Sequence, residues 1–341
     1  MVINGNDYYT QLKEIQNPYE ALKEAGMNEE YLNKLKKNEL INIINDYNKL
    51  CDIYGYKKIE DTKSKKDVLI DLIDNVKENY AKGIIMSLDK RDYLALKEMV
   101  KKSSMESLNN NRALINFLKS KYILLLNDTL EIPKDIKLNE ILKDKAVQKH
   151  IGYWTNVYDF VDGIIIAYGV VDISYFNELI NDVKEKDNIF KMINFYYKKD
   201  YVVTEDRLIS NKLSNKKRID KYFKDKNYKK FTTKEYIALG RSLYHHNIKS
   251  YKKFIKMLKN YYVFKKNDIE FVDSNIVIPY LYNKINEEDI AKNTLEETVV
   301  RLFEFKGDKL KEKMLTEIIK IRNEFPLWEL RGFSKAEGNE K

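Results

Sequence analysis

The chain has 341 residues, 43% of them hydrophobic and 12% aromatic, enough apolar side chain for two or three packed units and too much for a disordered polypeptide despite 34% charge. A single cysteine excludes an internal disulfide framework and a cysteine-built zinc site, and the absence of any run of about 18 apolar residues excludes a helical membrane span. The net charge of +9 favours a polyanionic partner over a membrane core.

The chain opens on Met1-Val-Ile-Asn-Gly-Asn-Asp, which lacks a basic stretch followed by an apolar one, so a soluble, cytoplasmic protein is expected. Residues 1–30 hold short helical pieces broken by Asn17-Pro18 and Gly26. From Glu30 to Tyr80 the spacing predicts a helix pair. Leu35, Leu40, Ile43, Ile44 and Tyr47 recur at steps of three and four in the first helix, and Val68, Leu69, Leu72, Ile73 and Val76 do so in the second. Ser64 followed by Asp67 reads as the cap of the second helix, and Cys51 as a small hydrophobe on the first.

Leu35-Lys36-Lys37-Asn38-Glu39-Leu40, then Gly55, then Lys65-Lys66-Asp67-Val68-Leu69-Ile70 resembles the helix, extended loop and helix of SAP and Rho N-terminal-like domains over residues 31–76. The connection is longer here than in that family. The resemblance implies contact with DNA or RNA near the start of the second helix, where free N–H groups and lysines favour an anion. A plain helical hairpin with solvated lysines meets the same pattern.

A helix from about Asp89 to Lys102 with Tyr93, Leu96 and Val100 inward comes next, and then a unit that recurs three times. Its copies begin at Ile115, Ile193 and Ile255. Each joins the end of an amphipathic helix to a tyrosine (Tyr122, Tyr201 or Tyr262), a β-rich run, an acidic or Asn-Asp turn and a second short strand.

Around the middle copy, a helix from Thr155 stops at Gly169, Val170-Val171-Asp172-Ile173 reads as a strand, and Ser174 opens a second helix. A third helix from about Asn188 leads into the hairpin. That order of helix, strand, helix, helix and hairpin resembles the winged-helix family, although generic helices with incidental hairpins remain open. The expected fold class is therefore mainly α with small β-hairpins: a helical N-terminal module (1–84) followed by tandem winged-helix-like units. These are a helix-hairpin unit (85–145), a winged-helix-like unit (150–212) and a basic winged-helix-like unit (213–290), with C-terminal helices and a tail at 291–341, frayed from Ala336 to Lys341. Trp328 is expected to anchor the C-terminal segment.

Charge is the loudest functional signal. Residues 212–259 hold sixteen Lys or Arg against three Asp or Glu, a net of +13, which leaves 9 − 13 = −4 for the remainder. On the helix beginning near Ser250, Tyr251, Phe254, Ile255 and Leu258 form an inner stripe, whereas Lys249, Lys252, Lys253, Lys256 and Lys259 fall opposite. Upstream, Lys216, Lys217, Arg218 and Lys221 lie in a run interleaved with Tyr222, Phe223, Tyr228 and Phe231, aromatics that could stack on bases or face a core. In the winged-helix resemblance the basic helix enters the major groove. Lysine outnumbers arginine, so backbone-dominated, salt-sensitive binding is expected, to DNA more than to RNA.

The chain lacks Gly-x-x-x-x-Gly-Lys-Ser/Thr, Gly-x-Gly-x-x-Gly and His-Glu-x-x-His. With three histidines, His150, His245 and His246, no metal site or cofactor is expected. Arg241 with His246 five residues on resembles the motif of HEPN ribonucleases, which implies metal-independent RNA cleavage. Asp159 and Asp162 read as a solvated helix face. The Lys, Asn, Ile and Tyr bias points to an AT-rich genome, a low-GC bacterium or its phage. The expectation is a non-catalytic nucleic-acid-binding protein, with docking on an acidic protein partner as the alternative.

Overall fold

In the computed structural model the described residues are 29–60, 62–102, 111–123, 125–126, 130–131, 136–181, 183–196, 198–213, 227–262, 266–282, 288–305 and 308–338. The protein is mainly helical with small antiparallel β elements. No helix among the described residues is long and apolar enough to cross a membrane. The chain divides into two compact units, residues 1–155 with 187–197 and residues 156–186 with 198–341.

In the first unit, α1 (Glu29–Lys34), α2 (Lys37–Tyr54) and α3 (Lys66–Met86) form the expected helical pair and its lead-in. The α2 stripe Leu40, Ile43, Ile44, Tyr47 and Leu50 is buried against Leu69, Ile70, Ile73, Tyr80 and Ile84 of α3. Gly55 ends α2 in the left-handed conformation, φ 74°, with its N–H on the Cys51 carbonyl. Asn48 then grips the connection from both sides: its Nδ2 donates to the Ile59 carbonyl at 2.8 Å and its Oδ1 accepts from the Ile59 N–H at 2.9 Å. The length of the connection is thereby tied to the helix it leaves. Two details differ from expectation. Lys65 rather than Ser64 occupies the N-cap of α3, and Val68 is 43% exposed, because Leu69 and Ile70 point inward and leave Val68 on the outer side.

The unit continues through α4 (Lys90–Lys102), α5 (Arg112–Ser120), β1 (Leu125–Leu126), β2 (Leu130–Glu131) and α6 (Leu138–Ile141). Met99 rather than Val100 completes the inner face of α4. The first expected hairpin forms, with Leu126 paired to Leu130.

Helix α7 (Lys145–Tyr168) begins in this unit and continues into the second. Near its start His150 is half-buried, its ring 5.3 Å from that of Tyr54, and its Nε2 has no hydrogen-bond partner among the described residues. Burial pulls its pKa down to about 4. The folded state therefore resists a proton that the unfolded chain accepts near 6.5. Stability is unaffected above that pH, falls as pH drops from about 6.5 towards 4, and levels off below. Discounted for partial exposure, the loss is about 2 kcal/mol. Urea denaturation at pH 7.5 and pH 4.5 is expected to show a larger drop for the wild type than for His150→Phe, and equal drops would refute the assignment.

In the second unit α7 runs on to Gly169 (φ 69°), followed by β3 (Val170–Asp172) and α8 (Ile173–Ile180). Then come β4 (Tyr201–Val203) and β5 (Arg207–Ser210), in a three-stranded antiparallel sheet of order β3-β5-β4. Val171 pairs with Leu208 and Val203 pairs with Leu208 on its other side. Alternation buries Val171, Tyr201 and Leu208 and leaves Val202 exposed. Between α8 and β4 lies α9 (Lys186–Phe195), of which residues 187–195 belong to the first unit. There Asn188 donates to the Ile53 carbonyl and the Tyr196 hydroxyl to buried Asp89 at 2.9 Å. The expected 150–212 segment thus keeps its order of elements but contributes one helix to the other unit.

Helices α10 (Thr233–Gly240), α11 (Lys249–Tyr261), α12 (Lys266–Val272), α13 (Ile278–Tyr282), α14 (Glu288–Leu302), α15 (Asp308–Glu324) and α16 (Lys335–Gly338) complete the chain. The third expected hairpin does not form, since residues 266–272 are helical. Ile269, Val272, Ile276 and Tyr280 recur at helical steps with no glycine between them, and this periodicity outweighs the β-propensity of the run before it. A π-helical stretch, Asp273–Val277, separates α12 from α13 just ahead of Pro279, whose ring removes one backbone donor.

Trp328 is an anchor, 4% exposed. Its Nε1–H donates to the Ile166 carbonyl at 2.8 Å, one of the carbonyls left free at the end of α7. Residues 336–338, where fraying was expected, are helical. Ser334 and Glu337 cap α16, and Glu337 pairs with Lys229 at 2.6 Å.

Candidate nucleic-acid interface

Helix α11 separates its residues as the spacing predicts. Tyr251, Phe254, Ile255 and Leu258 are buried, with Met257 and Ser250 beside them, and the helix packs on α15, where Met314, Ile318 and Ile321 face inward. Burying Phe254 and Leu258 alone stabilises the pairing by about 3 to 6 kcal/mol before entropy is counted. That fixes the rotation of the helix and turns Lys249, Lys252, Lys253, Lys256 and Lys259 outward, all five exposed. At 3.6 residues per turn they cover an arc of about 120° and a length of about 15 Å.

No carboxylate among the described residues lies within ion-pairing distance of any of the five. The helix has no acidic residue, and its N-terminus carries Lys249 where the backbone dipole favours a negative group, at a cost of about 0.3 to 1 kcal/mol. Elsewhere in the basic block the charges are partly neutralised. Lys212 lies 3.5 Å from Asp200, Lys229 pairs with Glu337, and Arg241 binds Asp159 at 2.6 Å. Lys216, Lys217, Arg218 and Lys221, with Tyr222 and Phe223, lie outside the described residues.

The described aromatics of the block face the interior. Phe231 is 8% exposed, and Tyr228 stacks on Tyr175 with centroids 4.1 Å apart while the Arg331 guanidinium covers its other face at 4.3 Å. Neither ring is available to a base. Partly exposed aromatics occur instead at the far end of α11, where Tyr261, Tyr262, Phe303 and Phe305 line a groove with Lys309 and Lys313. Tyr261 is 52% exposed there, with the Lys313 ammonium 5.5 Å from its ring centroid.

Arg241 and His246 engage different carboxylates and sit on different elements. Arg241 caps α10 and reaches back to α7, with Nε on Asp159 and a terminal nitrogen 2.6 Å from Asn156 Oδ1. Asp159 is accordingly buried, not solvated as its helix position suggested.

His246 belongs to the 3-10 turn Tyr244–Asn247 that leads into α11, and its Nε2 lies 2.7 Å from Asp273 Oδ2. The other carboxylate oxygen of Asp273 accepts from the Tyr251 hydroxyl at 2.8 Å and lies 3.3 Å from Nε2 of fully buried His245. Burial pushes the Asp273 carboxyl up, but the surrounding His245, His246 and Tyr251 groups outweigh it and hold the group below the ordinary carboxylate value. Burial also lowers the His245 pKa against the opposing pull of Asp273, and burial together with Asp273 raises that of Tyr251.

The chain pattern missed this cluster. Two adjacent histidines offer too few ligands alone, and Asp273 is 27 residues further on. Its one local signal is an acid on the inward stripe of Val272, Ile276, Val277 and Tyr280. Searched against known protein families, curated proteins and solved structures, the chain finds no match.

Proposed function

We propose that the protein binds nucleic acid through the lysine face of α11, mainly by backbone phosphates and with duplex DNA as the preferred ligand. The observation that carries this reading is five exposed lysines on one arc with no carboxylate of the described residues in reach. Like charges so placed repel one another and oppose the helix dipole, and a polyanion relieves both costs at once. The spread of about 15 Å suits several phosphates in succession. Lysine's point charge supplies affinity and little base discrimination. The order α7, β3, α8, α9, β4, β5 with a β3-β5-β4 sheet supports a winged-helix-like relationship for that part of the chain, and the α2–α3 pair supports a SAP-like one. We place the protein in the cytoplasm on the same reading.

Titration of a mixed-sequence 20-base-pair duplex between 50 and 400 mM salt is expected to give log K falling against log salt with a slope of about −3 to −5. A single strand of equal length and an acidic polypeptide are the comparison ligands. A slope near zero, or tighter binding of the acidic polypeptide than of either nucleic acid, would overturn the proposal and favour docking on an acidic protein.

A further inference from the structure

We propose that His245, His246 and Asp273 bind a divalent cation of the zinc class, which fixes the turn preceding α11 to the π-helical segment. One ligand atom from each of the three residues, an imidazole nitrogen from each histidine and a carboxylate oxygen, lies within 4.8 Å of the other two. Around a tetrahedral ion with bonds of about 2.0 to 2.1 Å, ligand atoms stand about 3.3 Å apart. Of two separations to the two carboxylate oxygens, 3.3 Å from His245 Nε2 meets that value and 2.7 Å from His246 Nε2 falls short of it. The remaining adjustment falls to His246, whose side chain is 42% exposed and has room to turn.

A second, independent observation points to a ligand. His245 is completely buried, and its Nε2, although 3.3 Å from a carboxylate oxygen, is not aligned for a hydrogen bond and has no other partner among the described residues. An aligned partner is the rule for a buried ring nitrogen. In the tautomer that donates Nδ1–H to the Tyr282 hydroxyl, 3.3 Å away, Nε2 carries a free lone pair 3.3 Å from the Asp273 carboxylate. Metal-bound histidines characteristically place their second nitrogen on such a partner, and the Tyr251 hydroxyl on Asp273 does the same for the carboxylate. Two imidazoles with one carboxylate select zinc, cobalt or nickel over magnesium or calcium, which take oxygen. Three protein ligands leave a fourth position for water on the exposed His246 side.

The proposal stands independently of nucleic-acid binding. Tag-free full-length protein, stripped with chelator and titrated with Co²⁺, is expected to develop visible absorption bands that saturate at one equivalent and disappear on adding Zn²⁺. Zn²⁺ at about 100 times its Kd is expected to raise Tm by about 5 °C. His246→Ala, a change at an exposed position, and Asp273→Asn should each weaken Co²⁺ affinity at least 100-fold while far-ultraviolet circular dichroism stays unchanged for His246→Ala. His150→Phe should bind as wild type. No absorption at one equivalent, or undiminished affinity in His246→Ala, would overturn the assignment.

Discussion

Gly163→Ala is expected to destabilise the second unit by about 3 kcal/mol or more, a larger loss than ordinary overpacking, because the added methyl has nowhere to go. A Cβ on Gly163 would stand 1.8 Å from the backbone oxygen of Tyr236, and one on Gly240 would stand 1.9 Å from that of Asp159. The two positions answer each other across the crossing of α7 and α10, so the helices touch backbone to backbone there. Relief requires pulling them apart by more than an ångström, since a carbonyl, unlike a side-chain tip, cannot swing away. That separation loosens the edge-on contact of Phe160 with Tyr236, 5.3 Å between centroids, and the Arg241–Asp159 pair that closes the crossing. Gly152→Ala, earlier on the same helix with nothing within 4 Å of its added methyl, is expected to be neutral or to stabilise by about 0.5 to 1 kcal/mol. Equilibrium urea denaturation of both variants decides the matter, and equal midpoints would refute the crossing as described.

That crossing marks the boundary of what the chain reveals on its own. Periodicity exposed the α2, α3, α4 and α11 faces because each rests on local repetition of apolar residues at steps of three and four, and the two hairpins that form follow tyrosine-led runs broken by acidic turns. Where an outcome depends on which partner arrives, local pattern misleads. Asp159 looks solvated until Arg241 from α10 covers it, and Tyr228 looks like a stacking platform until Tyr175 and Arg331 take both its faces. Lys266–Val272 had β-branched and aromatic residues before it and an Asn-Asp pair within it. The helical stripe that continues to Tyr280 settles its conformation, and that stripe is what carries Asp273 to His245 and His246. Of the proposed lysines, the five on α11 were legible as one face because a single helix sets their directions. That no carboxylate of the described residues reaches them depends on what packs beside the helix, α15 first, and no reading of the helix alone supplies it.

Simultaneous replacement of Lys252, Lys253 and Lys256 by Glu is expected to reduce duplex affinity by about 10² to 10³-fold at 0.1 M salt. Three phosphate contacts at about 0.9 each account for nearly three decades of the salt-dependent term between 0.1 and 1 M. The slope of log K against log salt should fall by a similar amount, about 2.7. The fold is expected to survive, because all three side chains are exposed and make no ion pair among the described residues, and a glutamate at 252, in the first turn of α11, suits its dipole better than a lysine does. Thermal unfolding should therefore shift by no more than the effect of ordinary surface substitutions, about 0.5 kcal/mol. The matched control is Lys143, Lys145 and Lys149, also exposed and also changed to Glu. Each triple moves the net charge from +9 to 9 − 6 = +3, so a general loss of positive potential would weaken both alike. A site on α11 requires the first triple to lose binding and the second to keep most of it. Similar losses in the two would show that total charge alone drives association and would remove α11 as the interface.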